Sequence, residues 1–350
     1  MLGLNATYRT RRVLVTGHTG FKGSWLCAWL DTLGAQLGGL ALAPDTTPSL
    51  YTAATLDDSI DSTLADIRDA AAVDAAIGAF RPEIVFHLAA QPLVRRSYAD
   101  PLGTYATNVM GTAHVLDAAS RHGVRAVVVV TSDKCYAPTP PAGGYRESDP
   151  LGGHDPYSAS KACAELLAAS WRDSFCADAP RIATARAGNV IGGGDWAEDR
   201  LIPDLIRAAQ AGQPAPIRNP HAIRPWQHVL EPLAGYLALG ARLLAGDARA
   251  ARAWNFGPDA DDMLPVGEVC DRMCAQLGSR WTHDTAAHPH EAAVLQLDSR
   301  DARAQLPWTP RWRIDQAIAA VGQWHRRFAA GESARRLIRE QIAAYTEAAR

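Results

Sequence analysis

The chain has 350 residues, with 35 Lys and Arg against 37 Asp and Glu and a formal net charge of −2. That length fits one large domain or two intimately connected ones, and it supports a core without disulfide or metal staples. The near balance of charge gives no strong draw to nucleic acid or an anionic membrane. Six scattered cysteines argue against a disulfide framework, and no targeting segment or membrane span is read, so a reducing, cytoplasmic setting is expected.

Strands are predicted at 13–16, 37–42, 84–88, 126–131 and 182–186, with a weaker one at 62–65. Helices are predicted between them at 23–33, 70–80, 104–122 and 157–175. Strands alternating with helices predict an α/β fold of Rossmann type, a doubly wound parallel sheet covered on both faces. The run of four valines at 127–130 suits a central strand buried on both sides.

After Arg186 glycine and proline become dense, and a smaller α/β unit is expected on the sheet's C-terminal edge. One more strand is predicted at 254–257, and helices at 266–277 and 314–328. The expected division is a dinucleotide-binding domain over 1–186, rejoined by about 228–256, and a second domain over 187–227 and 257–350. Cys270 and Cys274 have helical spacing in an apolar stripe, and His283, His288 and His290 lie in a Pro-containing loop. No metal site is expected from either group.

The first strand runs into Gly17, Gly20 and Gly23, spaced Gly-x-x-Gly-x-x-Gly, where a helix begins. Glycines let backbone turn tightly and approach a pyrophosphate, and a helix N-terminus supplies unpaired N–H groups. Thr19, Phe21 and Lys22 belong to the same loop. A nucleotide site is therefore expected there, the alternative being a purely structural turn. Asp66 and Ile67 follow the third strand, where an acid can accept from an adenine amino group or simply be solvated. Leu88, Ala89 and Ala90 end the fourth strand, where small residues let a flat cofactor lie against backbone. The second strand's end has neither a clear acid for a ribose hydroxyl nor an Arg for a 2′-phosphate, so NAD and NADP stay open at this point.

Lysine occurs only at 22, 134 and 161. Tyr157 and Lys161 share a helix face at i and i+4. An ammonium beside a phenol favours phenolate and can bring its pKa toward working pH. Ser132 ends the fifth strand, where a hydroxyl could donate to a substrate oxygen. Asp133 and Lys134 follow it: Asp133 is an acid or a capping carboxylate, and Lys134 is a base or an electrostatic prop paired with Asp133.

These motifs resemble the extended short-chain dehydrogenase/reductase family over nearly the whole chain. The longer strings at 16–23, 87–98, 132–136, 187–196, 200–204 and 223–229 resemble its nucleotide-sugar 4,6-dehydratases, most of all the branch acting on CDP-glucose. Asn108 belongs to the family pattern on the cofactor side. The resemblance implies bound NAD, a lyase and a 4-keto-6-deoxy product used in deoxysugar and polysaccharide biosynthesis. It further implies that Tyr157 takes the sugar 4-hydroxyl proton, Lys134 the C5 proton, and that Asp133 protonates the leaving C6 hydroxyl. Many 4,6-dehydratases carry Asp-Glu where this chain has Asp133-Lys134, so Lys134 is a departure. Asn189 and Arg224 are implied as diphosphate contacts, with Arg200, Leu201 and Arg218 as further candidates and Gln91 and Ser97 near the sugar. A homo-oligomer is implied too. The rivals are a 4-epimerase, which needs no Asp133-Lys134 pair, and a non-catalytic nucleotide-binding protein.

Overall fold

The computed structural model describes residues 2–139, 141, 143–175, 180–286 and 294–348. Seven strands form one sheet: β1 (Arg12–Thr16), β2 (Gln36–Ala41), β3 (Ile60–Leu64), β4 (Ile84–His87), β5 (Ala126–Val130), β6 (Arg181–Ala187) and β7 (Ala253–Phe256). Their order is β7-β6-β5-β4-β1-β2-β3, and every pairing is parallel. All carboxyl ends therefore reach one edge of the sheet. The chain reverses direction across the sheet between β1 and β4, which opens a crevice there.

The period-2 alternation of strand side chains divides the core in two. In β5, Val128 and Val130 join one buried cluster while Val127 and Val129 join the other. Each fully buried valine contributes roughly 1.5–3 kcal/mol of transfer free energy relative to exposure. Helices α1 (Phe21–Thr32), α6 (Leu230–Leu244) and α9 (Ala334–Glu347) cover the first face. Helices α2 (Ala70–Phe80), α3 (Gly111–Arg121) and α4 (Pro156–Phe175) cover the second.

The expected helix over 104–122 is interrupted: Pro101–Tyr105 runs into a single π turn, Ala106–Met110, before α3. Beyond the sheet, α5 (Leu201–Gln210), α7 (Val266–Leu277) and α8 (Ile314–Ala329) enclose a third apolar cluster that includes Cys270 and Cys274. Three short strand pairs brace this unit, among them Ile223–Pro225 against Met263–Pro265. The tail of the chain is not part of it. Helix α9 packs on α1, with Leu337, Ile338, Ile342 and Tyr345 in the core of the first face. Cys176, His288 and His290 lie outside the described residues.

Candidate active site

A cavity of about 1010 Å³ follows the carboxyl edge of the sheet from the glycine loop to the third cluster. At its start Gly17 has φ +74°, and a Cβ there would stand 2.7 Å from the Ala89 nitrogen. A Cβ on Gly23 would stand 2.1 Å from the Gly17 carbonyl oxygen. Only glycine permits this approach of loop, β4 end and helix. Gly20 caps α1 with no side-chain hydrogen bond, so first-turn N–H groups and the helix dipole face the cavity as an anion site. Thr16 fixes the opposite wall: its hydroxyl accepts from Leu88 N at 3.2 Å and Ala89 N at 3.1 Å. This cradle fits a dinucleotide, with Leu88, Ala89 and Ala90 on its wall.

Asp66, Ile67 and Arg68 line the far end of the same groove. Arg68 Nε and Nη2 donate to Asp66 Oδ2 at 2.8 and 2.6 Å, and this hydrogen bonding holds the carboxyl below its ordinary range. An engaged Asp–Arg pair thus stands where the sequence suggested a lone acceptor for adenine.

Asn108 and Ser97 are not on the cavity wall. Asn108 sits in the π turn behind it. Its Oδ1 accepts from Gln91 N at 2.8 Å, and its Nδ2 donates to Gln91 O at 3.1 Å and Ser160 Oγ at 2.8 Å. It therefore ties the loop after β4 to α4. Ser97 is fully buried and donates to Val94 O at 2.6 Å. Gln91 reaches the wall, but its amide is held by Leu93 and Thr104.

Ser132, Asp133, Lys134, Tyr157 and Lys161 converge on the middle of the cavity. They come from two elements: the one-turn helix Asp133–Cys135 after β5, and the first turns of α4. Ser132 caps the short turn, its Oγ accepting from Lys134 N at 3.2 Å and donating to Asp133 Oδ1 at 3.1 Å. Asp133 is therefore not the capping group. Its Oδ2 is buried and has no hydrogen-bond partner. Among the described residues no ion pair joins Lys134 to Asp133.

The phenol of Tyr157 behaves differently from the expectation. Burial pushes it up to about 12; the Ser132 hydroxyl and the Arg200 charge pull the other way, and Asp133 reinforces the rise. Lys161 is brought down to about 8 by burial, opposed by the Glu165 carboxylate, and donates to Val130 O at 3.3 Å. Spacing along α4 gives the proximity of Tyr157 and Lys161 but not the depth at which they sit.

Lys22 reaches the same region. Burial first, then the charges of Arg200 and Lys161, lower it to about 7 against the pull of Asp133, and its ammonium lies 5.9 Å from the ring centroid of Tyr236. Tyr236, from α6, is fully buried with an unpartnered hydroxyl and was not singled out from the sequence. Nothing in its local pattern marks it, since it sits in a helix of core residues.

At the other end Asn189, Arg200, Leu201, Arg218 and Arg224 all line the cavity. Arg224 is 5% exposed, and its Nη1 donates to Ile223 O at 3.0 Å. Arg200 pairs with Asp195 at 3.0 Å. Arg218 and Arg95 both donate to Asp199 Oδ1, at 3.1 and 2.8 Å, bridging the short helix Val94–Ala99 to the second unit. Trp226 packs in the third cluster, its indole N–H donating to Leu264 O at 3.2 Å, and also borders the cavity.

Residues 13–256 match the model of the NAD dependent epimerase/dehydratase family. The chain belongs to this family. It is 48% identical over 350 residues to a CDP-glucose 4,6-dehydratase of Salmonella typhimurium, covering 97% of this chain and 98% of that one. It is 32% identical to a dTDP-glucose 4,6-dehydratase of Streptomyces griseus over 90% of this chain and 94% of that one. A dTDP-glucose 4,6-dehydratase from Streptomyces venezuelae, solved with NAD, superposes with a TM-score of 0.78 at 25% identity, covering 90% of this chain and 97% of that one. Among the described residues of this family member, no helix is long and apolar enough to cross a membrane.

Proposed function

We propose that this chain is a CDP-glucose 4,6-dehydratase, converting CDP-D-glucose to CDP-4-dehydro-6-deoxy-D-glucose for deoxysugar and polysaccharide biosynthesis. The observation that carries this is the turn Asp133-Lys134 beside Ser132 and Tyr157 on the wall of a cavity that fits a dinucleotide, with one buried carboxylate oxygen of Asp133 left without a hydrogen-bond partner. A 4-epimerase needs no acid and base of this kind. The 48% identical relative carries the same activity in its name.

Gly17, Gly20, Gly23, Ala89, Ala90 and Lys161 would hold NAD, which when bound would supply a hydride acceptor for C4 and a hydride donor for C6. Tyr157 removes the 4-hydroxyl proton. The ketone acidifies the hydrogen on C5, which Lys134 accepts, and Asp133 protonates the C6 hydroxyl as it leaves as water; Lys134 then returns its proton to C5 as C6 is reduced. Ser132 orients both Asp133 and the sugar oxygen. Arg224, with Asn189 and Arg218, meets the diphosphate, for which a guanidinium fork is suited.

Dinucleotide binding then belongs to residues 1–186 and 228–256, and sugar-nucleotide binding to 187–227 and most of 257–333. Two copies pair through the exposed apolar side chains of Leu102, Tyr105, Met110 and Leu166, which lie on adjoining helices. The cytoplasm is the matching setting. The test offers CDP-glucose, dTDP-glucose, UDP-glucose and GDP-mannose in parallel and weighs the products. The expected result is loss of one water from CDP-glucose with no net use of NAD; a product of unchanged mass sinks the reading.

A further inference from the structure

We infer that Glu165 is a positioning residue that locks the two halves of the catalytic constellation into one register. The inference rests on the dehydratase reading. That reaction needs an oxidising pair, Tyr157 and Lys161 on α4, and an eliminating pair, Asp133 and Lys134 on the turn after β5. Nothing covalent joins the two elements at the site.

Tyr157, Lys161 and Glu165 stand at i, i+4 and i+8 and share one face of α4. Glu165 is 3% exposed and does not reach the cavity. Its Oε1 accepts from the hydroxyl of Thr131, the residue immediately before Ser132. Its Oε2 accepts from Thr184 Oγ1 at 2.6 Å and from Arg186 Nη2 at 2.8 Å. Arg186 carries the link onward. Its Nη1 donates to the Tyr136 hydroxyl at 2.7 Å, and its guanidinium carbon lies 4.8 Å from the centroid of that ring. Tyr136 immediately follows the Asp133–Cys135 turn. It stacks on Tyr145 with centroids 4.6 Å apart and donates to Asn255 Oδ1 at 2.7 Å. The eliminating turn is thus gripped on both sides, at Thr131 and Tyr136, by one ion pair whose acid rides on the helix of the oxidising pair.

A buried ion pair is weak evidence for stability, because desolvation offsets much of its attraction. A pair whose arms reach both boundaries of one reactive turn, at Thr131 and Tyr136, has a geometric task instead. Misplacing a general acid or base by a fraction of an ångström costs rate rather than binding.

The two threonines make the test, because each gives Glu165 one buried hydroxyl but only Thr131 adjoins the turn; Thr131 also lines the cavity, so Tyr136→Phe, which reads the other grip away from the wall, must show the same effect. Thr131→Val is expected to lower kcat for water loss from CDP-glucose about tenfold, roughly 1.4 kcal/mol, with KM within about twofold. Oxidation at C4 should persist, so bound reduced nicotinamide should build up during turnover. Thr184→Val is expected to stay within about twofold of wild type while losing a similar amount of thermal stability. Thr131→Ser should restore the rate. If Thr131→Val does not fold, Tyr136→Phe reads the other grip, keeping the ring stack and losing only the hydroxyl; the same slow elimination is expected. Equal losses in the two valine variants, or losses shared equally by oxidation and elimination, overturn the inference. Wild type separates the two failures: if it releases no water, the dehydratase reading falls and takes this inference with it. If it releases water and the valine variants behave alike, only the positioning role falls.

Discussion

Asp133 and Glu165 are both 3% exposed, yet the wall of the cleft and the layer beneath it treat their carboxylates in opposite ways. Asp133 has one hydrogen bond, from Ser132 at 3.1 Å, and an Oδ2 with none. Glu165 accepts from Thr131, Thr184 and Arg186. Buried polar groups are almost always satisfied, so the unsatisfied one marks where the molecule keeps bonding capacity for something else. Burial alone does not distinguish them. The open valence is also protected sterically: a Cβ on Gly188 would come within 2.8 Å of Asp133 Oδ2 and 2.4 Å of Pro225 Cγ. Groups on the cleft wall should therefore cost rate when changed, and groups in the layer beneath should cost stability or register.

The largest break of that comparison comes from Tyr157→Phe, which removes one oxygen from the wall. Turnover is expected to fall by at least about 10³-fold, near the upper range for losing a general acid–base group. Thermal stability should change little, because the buried ring stays in place and only one hydroxyl is lost. Steady-state rates with a melting curve check both parts. A variant with most of its activity would remove Tyr157 from the proposed role.

Lys134 gives the next largest effect. Lys134→Met should slow water loss by about 10²–10³-fold while leaving oxidation at C4 intact, so bound reduced nicotinamide accumulates and solvent exchange at C5 is lost. Lys134→Arg should fail equally, because a guanidinium does not give up its proton near neutral pH. Near-normal turnover in Lys134→Arg would make Lys134 a fixed charge and move the base elsewhere. Absorbance in the reduced-nicotinamide band and deuterium incorporation by mass spectrometry distinguish these outcomes.

Much of the fold was legible because it rests on strong local signals. The valine run, the glycine spacing and the apolar runs of 13–16 and 84–88 each have one physical solution in a parallel sheet. The strand over 60–64 was faint because it is an edge strand, and only Ile60 of it is buried. The positions of Asn108 and Ser97 were not legible. A family pattern gives their presence but not that they brace the wall from behind. Tyr236 and the Arg95–Asp199–Arg218 bridge join segments far apart in sequence, which no spacing rule reaches. Helix α9 carries its own local signal: Leu337, Ile338, Ile342 and Tyr345 recur at helical spacing, and all four are buried. The pKa of Tyr157 failed as an expectation for a related reason. Lys161 is visible one turn away in the sequence, while the depth that outweighs it is a property of the whole fold.

A third buried carboxylate sharpens the comparison with the smallest effect. Glu231, at the start of α6, is fully buried and closed by neutral donors. Its oxygens accept from Arg311 N at 3.0 Å, Trp312 N at 2.7 Å and the Tyr345 hydroxyl at 2.7 Å. These donors fasten helix α9 and the loop before α8 to α6. Burial raises its pKa to about 7, against the pull of the Trp312 amide and the Tyr345 hydroxyl. In the unfolded chain it titrates near the ordinary value of 4.5. The folded state therefore holds this proton more tightly, and the stability it contributes is fully present below about 4.5. That contribution is lost as pH rises through about 7, by an amount on the order of a few kcal/mol at most. Glu231→Gln cannot titrate. Its melting temperature relative to wild type should climb between pH 5 and about pH 7 and level off by pH 8, while turnover per folded molecule stays within about twofold, since Glu231 lies off the cleft. Melting curves across that range, with rates at each pH, test it. A flat difference would show that another group carries the pH dependence. A lost rate would show that the layer beneath the cleft reaches the chemistry through α6.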